Sequence, residues 1–308
     1  IIGSQISPLK SLSTLPMSIS VVGIAVGAVI ASKLMSITGR KVGFIVASAV
    51  NTLVSVLAAY SIFIQSFSLY CLVNFFLGMG MAFTHQYRFA AAESVNKDRV
   101  PRAISIILLG GIVSAFIGPS VANFSKDMFS NHMYVGSYLS LAALTFLPTI
   151  FFLFYKNTSK IEISVKYSGR SYLELVSQPR FLQAVISSAF GYAIMTFLMT
   201  GTPLSMHVME GISLNKTSIV IQIHVACMFL PSLIAGNLVK KIGHSKMMYV
   251  GVGLYCITVI ISLFDQSFLN YMIALIFLGF GWNFLFISGT SLLAVSYTHL
   301  RAHETRTN

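Results

Sequence analysis

Charge is what this 308-residue sequence lacks. Only 9 % of its residues are Asp, Glu, Lys or Arg, where a soluble domain carries roughly a quarter. With 56 % hydrophobic residues and a mean hydropathy of +0.81, a water-soluble globular protein is excluded. Acids are scarcest, eight against 20 Lys and Arg. Glu93, Asp98, Asp127, Glu162, Glu174, Glu210, Asp265 and Glu304 all lie outside the deep parts of the apolar runs, so no membrane-centre carboxylate is on offer for proton coupling. A membrane-embedded enzyme would need clustered acids, metal-ligand spacing or an activated nucleophile, and none of these is present. The three cysteines, Cys71, Cys227 and Cys256, sit inside apolar runs, which excludes a disulfide framework and a zinc site. His299 and His303 are four residues apart in a polar tail and are not read as a metal pair. No cofactor is expected.

What the sequence has in abundance is long apolar runs. They lie near 15–36, 42–64, 68–92, 103–124, 133–155, 180–207, 217–239, 246–264 and 268–294. Runs of about 20 residues match a helix crossing a ~30 Å hydrocarbon core. Barrel strands would be about half as long and would alternate, so the fold class is all-α and polytopic. The formal net charge of +12 reads as topology. Fifteen basic residues (Lys33, Arg40, Lys41, Arg88, Lys97, Arg99, Arg102, Lys156, Lys160, Lys166, Arg170, Arg180, Lys240, Lys241 and Lys246) fall on one side of these spans, and Lys10, Lys126 and Lys216 fall on the other. Basic side chains concentrate in cytoplasmic loops. Residue 1 is then expected outside and the central loop inside the cytoplasmic membrane. Because the basic residues sit between apolar runs, nucleic acid is not expected as a partner.

An internal repeat sharpens this picture. Gln65 to Phe83 (QSFSLYCLVNFFLGMGMAF) aligns without gaps to Gln266 to Phe284 (QSFLNYMIALIFLGFGWNF), with nine of 19 positions identical and an offset of 201. Upstream, Ser32 to Lys41 pairs with Gly236 to Ser245 at an offset of 204, each a basic loop centred on a glycine, Gly39 or Gly243. Two copies in one membrane orientation are a transporter arrangement.

Residues 1–295 resemble the major facilitator superfamily. Its basic loop reads roughly G-x-x-x-D-R-x-G-R-R/K, and Gly39, Arg40 and Lys41 keep its end, while Ser32 replaces the first glycine and Ser36 the acid. The second copy keeps Gly236 and Gly243, with Lys240 at the acidic position. The fourth-helix Arg of the family is absent; Asn74 and Gly78-x-Gly80 stand there, and Gly118-Pro119 represents the fifth-helix pattern. The runs Tyr87 to Glu93 and Gln222-Ile-His224 are similar to those of a bacterial permease branch. The resemblance implies helices 2–10 of twelve in two pseudo-symmetric bundles. Residues 1–155 would hold helices 2–6, 156–179 the cytoplasmic central loop, and 180–295 helices 7–10, with helices 1, 11 and 12 not in view. Residues 296–308 (SYTHLRAHETRTN) resemble a translated sequencing adaptor, so a truncated gene fragment is expected.

The expected activity is secondary active or facilitative transport of a small organic solute by alternating access, by a monomer in contact with lipid. The alternatives are a non-transporting sensor or scaffold that keeps the fold, and, more remotely, the membrane-embedded enzyme. Substrate candidates are the polar residues inside spans, which are costly there and therefore functional by default. At 100° per residue Asn74, His85 and Arg88 would share one helix face. Tyr192 and Thr196 share another with Thr200, followed by Gly201 and Pro203 that could break the helix. Gln222 and His224 lie about 200° apart, so only one can face a cavity, with His224 favoured because its protonation is tunable. Trp282 and Asn283 sit beside Gly279 and Gly281, and the indole could stack on a planar solute or simply pack. Gly39, Arg40, Lys41, Lys240, Lys241 and Gly243 would form the cytoplasmic gate loops, with the missing acid at Ser36 weakening the usual charge relay. No residue is expected to be catalytic.

Overall fold

A computed structural model describes residues 1–95, 100–155 and 176–304. Lys97, Asp98 and Arg99, most of the expected central loop (156–175) and the final residues 305–308 lie outside the described residues. The order is α1 (Ile2–Ile6), a 3-10 turn (Lys10–Leu12), α2 (Leu15–Phe63), α3 (Phe67–Thr84), α4 (Tyr87–Glu93), α5 (Val100–Ser125) and α6 (Val135–Phe154). Then come α7 (Pro179–Pro203), a π-helical turn (Leu204–Met209), α8 (Leu214–Phe229), α9 (Ser232–Ile242), α10 (His244–Ser262) and α11 (Phe268–Glu304). No strand occurs among the described residues. Seven helical stretches there are long and apolar enough to cross a bilayer, the first being Lys10–Phe63 with 54 residues. The chain forms two compact units: Ile1–Gly110 with Phe116–Ile163, and Gly111–Ala115 with Ser164–Asn308.

Every expected apolar run lies on a helix, but the breaks differ from the sequence reading in four places. A straight helix of 49 residues would be about 73 Å long, more than twice a hydrocarbon core. Gly39 divides α2 by adopting φ 81° and ψ 163°, a conformation that costs an L side chain about 1–2 kcal/mol. The run 68–92 is divided between α3 and α4 at His85–Gln86. The run 217–239 is divided between α8 and α9 at Leu230–Pro231. Conversely, Gly201 does not end α7, which runs on to Pro203 and there passes directly into the π turn. The polar stretch 296–304, set apart by composition, continues α11 as helix to Glu304.

The repeat is legible in the backbone contacts of each unit taken separately. Gly243 adopts φ 86° and ψ 160°, matching its partner Gly39 at the offset of 204. In the first unit Gly78 is pressed against the carbonyl of Ser20. In the second, a Cβ on Gly279 would stand 2.8 Å from the carbonyl of His224. Residues 20 and 224 are again 204 apart, and 78 and 279 are 201 apart. Likewise Gly80 faces Asn51, and Gly281 faces Tyr255 with a Cβ-to-ring distance of 2.6 Å. Such close approach is what small residues in membrane helices supply.

In the first unit α3 packs along α2, and α6 is tied to the second half of α2 by Thr149–Ser48 (2.9 Å) and Thr52–Thr145 (3.3 Å). Each interhelical bond of this kind stabilises by about 0.6 kcal/mol in membranes. In the second unit α11 is central, flanked by α7, α8 and α10, around a core that includes Met195, Met206, Leu278 and Leu285. Large apolar side chains stay exposed on both units, among them Leu53, Phe154, Phe197 and Leu263. On a soluble protein such a belt would be an aggregation hazard; on helices long and apolar enough to cross a bilayer it fits a multi-pass membrane protein.

Candidate functional site

The first unit carries a charged cluster that the sequence reading treats only as a gate loop. Immediately after the Gly39 turn, Arg40 donates from Nε and Nη2 to the two carboxylate oxygens of Glu93 at the end of α4, each at 2.5 Å. Its Nη1 reaches Gln86 Oε1 at 3.4 Å. A paired, bidentate guanidinium–carboxylate contact of this kind is among the strongest side-chain bonds available. Lys41 Nζ donates to the carbonyl of Leu153 at 2.6 Å, placing a cation at the C-terminus of α6, where the helix dipole favours it. Phe44, Tyr87 and Phe152 pack ring against ring beneath this layer, with centroids 4.8–5.4 Å apart. The missing acid at Ser36 therefore does not leave the loop without a charge partner, because Glu93 supplies one. The signal was present: Glu93 is an acid one span away on the same basic side.

Asn74, His85 and Arg88 differ in their surroundings. At His85–Gln86 regular helix hydrogen bonding lapses between α3 and α4, while both residues keep right-handed helical angles. Asn74 is buried and donates to the carbonyl of Tyr70, four residues back, at 2.7 Å. Its neighbourhood is sealed by a Tyr70–Tyr138 hydroxyl pair at 2.8 Å. His85 and Arg88 remain half-buried on either side of the α3–α4 break, with the Arg88 guanidinium 5.0 Å from the Phe89 ring centroid.

The second unit reverses the preference between Gln222 and His224. His224 has no exposed surface, and its Nδ1 lies 2.8 Å from the carbonyl of Leu275. A carbonyl only accepts, so Nδ1 carries the proton and the ring serves the α8–α11 seam. Gln222, two residues earlier, is half-buried. Tyr192 and Thr196 sit one turn apart on α7 and are both half-buried. Trp282, 6 % exposed, stacks on Phe286 (4.8 Å between centroids, 11° between planes) and is bordered by Tyr192 and Phe229. That is core packing, with one ring, Tyr192, at its open edge. Asn283 is buried and donates to the carbonyl of Met228 and to Ser232 Oγ, both at 2.6 Å, so it spans the α8–α9 break.

At the opposite end of the second unit, the Tyr271 hydroxyl lies 2.6 Å from Ser205 Oγ in the π turn and donates to Gln266 Oε1 at 2.5 Å. Nearby, the Asp265 carboxylate accepts the Ser267 N–H at 3.0 Å, and that bond holds its pKa below the ordinary carboxylate value. Lys241 and Gly243 close α9, but among the described residues of the second unit the charged latch of the first has no counterpart. The positions equivalent to Arg40 and Glu93 are His244 and Ala294. A neutral bond, Gln183 Nε2 to Ser245 Oγ at 2.9 Å, joins α7 to α10 instead.

Comparisons with known proteins agree with this architecture. The family model of the Major Facilitator Superfamily matches residues 3–304. The riboflavin transporter RfnT of Brucella anthropi is 35 % identical over 300 residues, covering 97 % of this chain and 75 % of that protein. The uncharacterized MFS-type transporter YddS of Bacillus subtilis is 26 % identical, covering 94 % and 70 % of the two chains. Among solved structures, the xylose transporter XylE of E. coli superposes with a TM-score of 0.62 at 12 % identity, over 94 % of this chain and 77 % of that one. The E. coli fucose:proton symporter FucP gives 0.58 at 14 %, over 98 % and 87 %. A profile spanning the chain, a relative above 30 % identity and a shared fold converge with the repeat: this chain belongs to the Major Facilitator Superfamily and is a multi-pass membrane protein of solute transport.

Proposed function

We propose that the transported solute is a small organic molecule with a flat heteroaromatic ring, of the riboflavin type, and that it is moved by alternating access across the cytoplasmic membrane. The observation that carries this reading is the 35 % identity to a riboflavin transporter over 97 % of the chain. The candidate solute contacts, with each unit taken by itself, are the half-buried His85 and Arg88 in the first and the half-buried Tyr192, Thr196 and Gln222 in the second, where Trp282 lies behind Tyr192. Arg88 offers a donor fork for carbonyl or anionic groups of the solute, and Tyr192 a ring edge and hydroxyl. Gly39, Arg40, Lys41, Lys240, Lys241 and Gly243 lie on the cytoplasmic side in this reading, with residue 1 outside and the 156–179 loop inside. It calls for no cofactor; a coupling proton would use His85, His224 or Glu93.

The test is uptake of radiolabelled riboflavin into proteoliposomes carrying the protein. Saturable uptake, competed by unlabelled riboflavin and reduced at least tenfold in Arg88→Ala at matched incorporation, supports the reading. Uptake indistinguishable from empty liposomes overturns the flavin assignment, and unaltered flux in His85, Arg88 and Gln222 variants overturns the site.

A further inference from the structure

The two copies of the repeat differ at one place in the helix that packs against the Gly-x-Gly segment. In the first unit this helix is the opening half of α2, uninterrupted from Leu15 to Gly39. Gly27 lies within it, pressed against α3, with a Cβ position 2.6 Å from Met79 Cα. The residue 204 positions on is Pro231, and there the helix of the second unit is cut into α8 and α9. Proline has no N–H to give the Cys227 carbonyl four residues back, and its ring crowds the preceding turn. Past the cut, the Leu233 N–H turns to the carbonyl of Leu230 at 3.3 Å, a tightened three-residue step. Backbone carbonyls beside a proline break in a membrane helix need other donors. The carbonyl next to that of Cys227, on Met228, receives Asn283 Nδ2 at 2.6 Å, and the same amide reaches Ser232 Oγ on the far side of the cut. The side chain that does this is 1 % exposed, and its own Oδ1 is left without a partner. In the first unit the equivalent residue is Ala82, which can clamp nothing, and no cut exists there to be clamped.

We propose that Leu230–Pro231 is a hinge in the second unit and that Asn283 is its positioning residue, stapling α8 to α9 from α11. The amide holds both lips of the cut at once, Met228 on α8 and Ser232 on α9, so the direction of α9 is set by α11 rather than by helix continuity. Since α9 ends in the basic Lys241–Gly243 turn, the hinge determines where that loop is carried while α8 keeps its seam with α11 through His224. Asn283 thereby acts on the motion of the chain and makes no contact with solute. The inference is independent of the flavin assignment.

Spin labels at Ile219→Cys on α8 and Asn237→Cys on α9, both exposed positions, bracket the hinge in the 308-residue chain after Cys71, Cys227 and Cys256 are replaced by Ala. Their separation, about 27 Å for 18 helical residues, suits pulsed electron spin resonance in nanodiscs. The parent should give one narrow distance. Asn283→Leu should broaden the distribution by about twofold, since a proline kink without its brace bends freely, and Ser232→Ala, which removes one of the two bonds, should broaden it less. Pro231→Ala in the Asn283→Leu background should narrow it again, because the N–H restored at 231 closes the helix without the clamp. A distribution unchanged in both Asn283→Leu and Ser232→Ala overturns the proposal. So does a broadened one that Pro231→Ala leaves broad, since the amide would then support the fold generally rather than the hinge.

Discussion

At the Gly39 and Gly243 ends, the two units show the same backbone closed in two chemistries. Both glycines hold the same left-handed, extended turn. One turn leads into Arg40 gripping Glu93 with two charged bonds; the other leads into His244 and Ser245, with a single neutral bond to Gln183. The same contrast holds along the helices. Gly78 and Gly279 repeat a close approach, yet their partners are Ser20 and His224. His85 and Arg88 have Phe286 and Gly289 as their equivalents. Duplication has preserved what backbone geometry demands and released the side chains that touch ligand, ion or neighbouring helix.

Substitutions at equivalent positions test how far the equivalence reaches. The largest effect is expected at the glycine contacts. Gly78→Ala drives a methyl into the Ser20 carbonyl, and overpacking of this kind costs about 3 kcal/mol. Gly279→Ala meets the His224 carbonyl at 2.8 Å and should cost less, about 1–2 kcal/mol. Thermal unfolding in detergent should rank the two in that order, and a neutral Gly78→Ala would break the structural repeat. Next comes the charged latch. Arg40→Ala leaves Glu93 without its partner and should cost about 2 kcal/mol, whereas His244→Ala in the second unit should be close to silent. The exchange Arg40→Glu with Glu93→Arg should recover part of the loss, and equal effects of Arg40→Ala and His244→Ala would erase the contrast.

The smallest effect is expected at the turn between α10 and α11 in the second unit. The Asp265 carboxylate accepts a backbone bond that lowers its pKa. A group whose pKa is depressed on folding stabilises the folded state above its unfolded pKa and loses that contribution as pH falls through the folded value. Asp265→Asn should slightly reduce the melting temperature near neutral pH; the difference from the parent should begin to shrink below about pH 4, where the unfolded carboxyl protonates, and vanish once the pH is below the folded pKa. A difference that persists in acid would show that the side chain, not its charge, is what matters.

The spans were legible in the sequence because the bilayer imposes one length and one polarity on each. The repeat was legible because glycines at close contacts leave an identity signal in an otherwise drifting apolar sequence. The interruptions were harder to see. Pro231 lies in an apolar run like any other residue, and what happens at a proline depends on which side chains serve the carbonyls beside it; here Asn283, 52 residues later, bonds that of Met228. Pro203 gave a different result, with α7 stopping there and the chain running on as a π turn. Site residues were the least legible. Composition marks His224 and Asn283 as polar and intramembrane but cannot distinguish a side chain turned to a cavity from one turned to a freed carbonyl.

The spans α6 and α10 have 20 and 19 residues, about 30 and 28 Å of helix, barely the depth of an average hydrocarbon core. They have no spare length to tilt into. Hydrophobic mismatch must then be absorbed by the lipid, which would stretch or thin around them at a fraction of a kcal/mol per ångström. Acyl-chain length in the host membrane thus becomes a physical variable of this protein, acting on α10 and on the basic loop it shares with α9 without any ligand being bound.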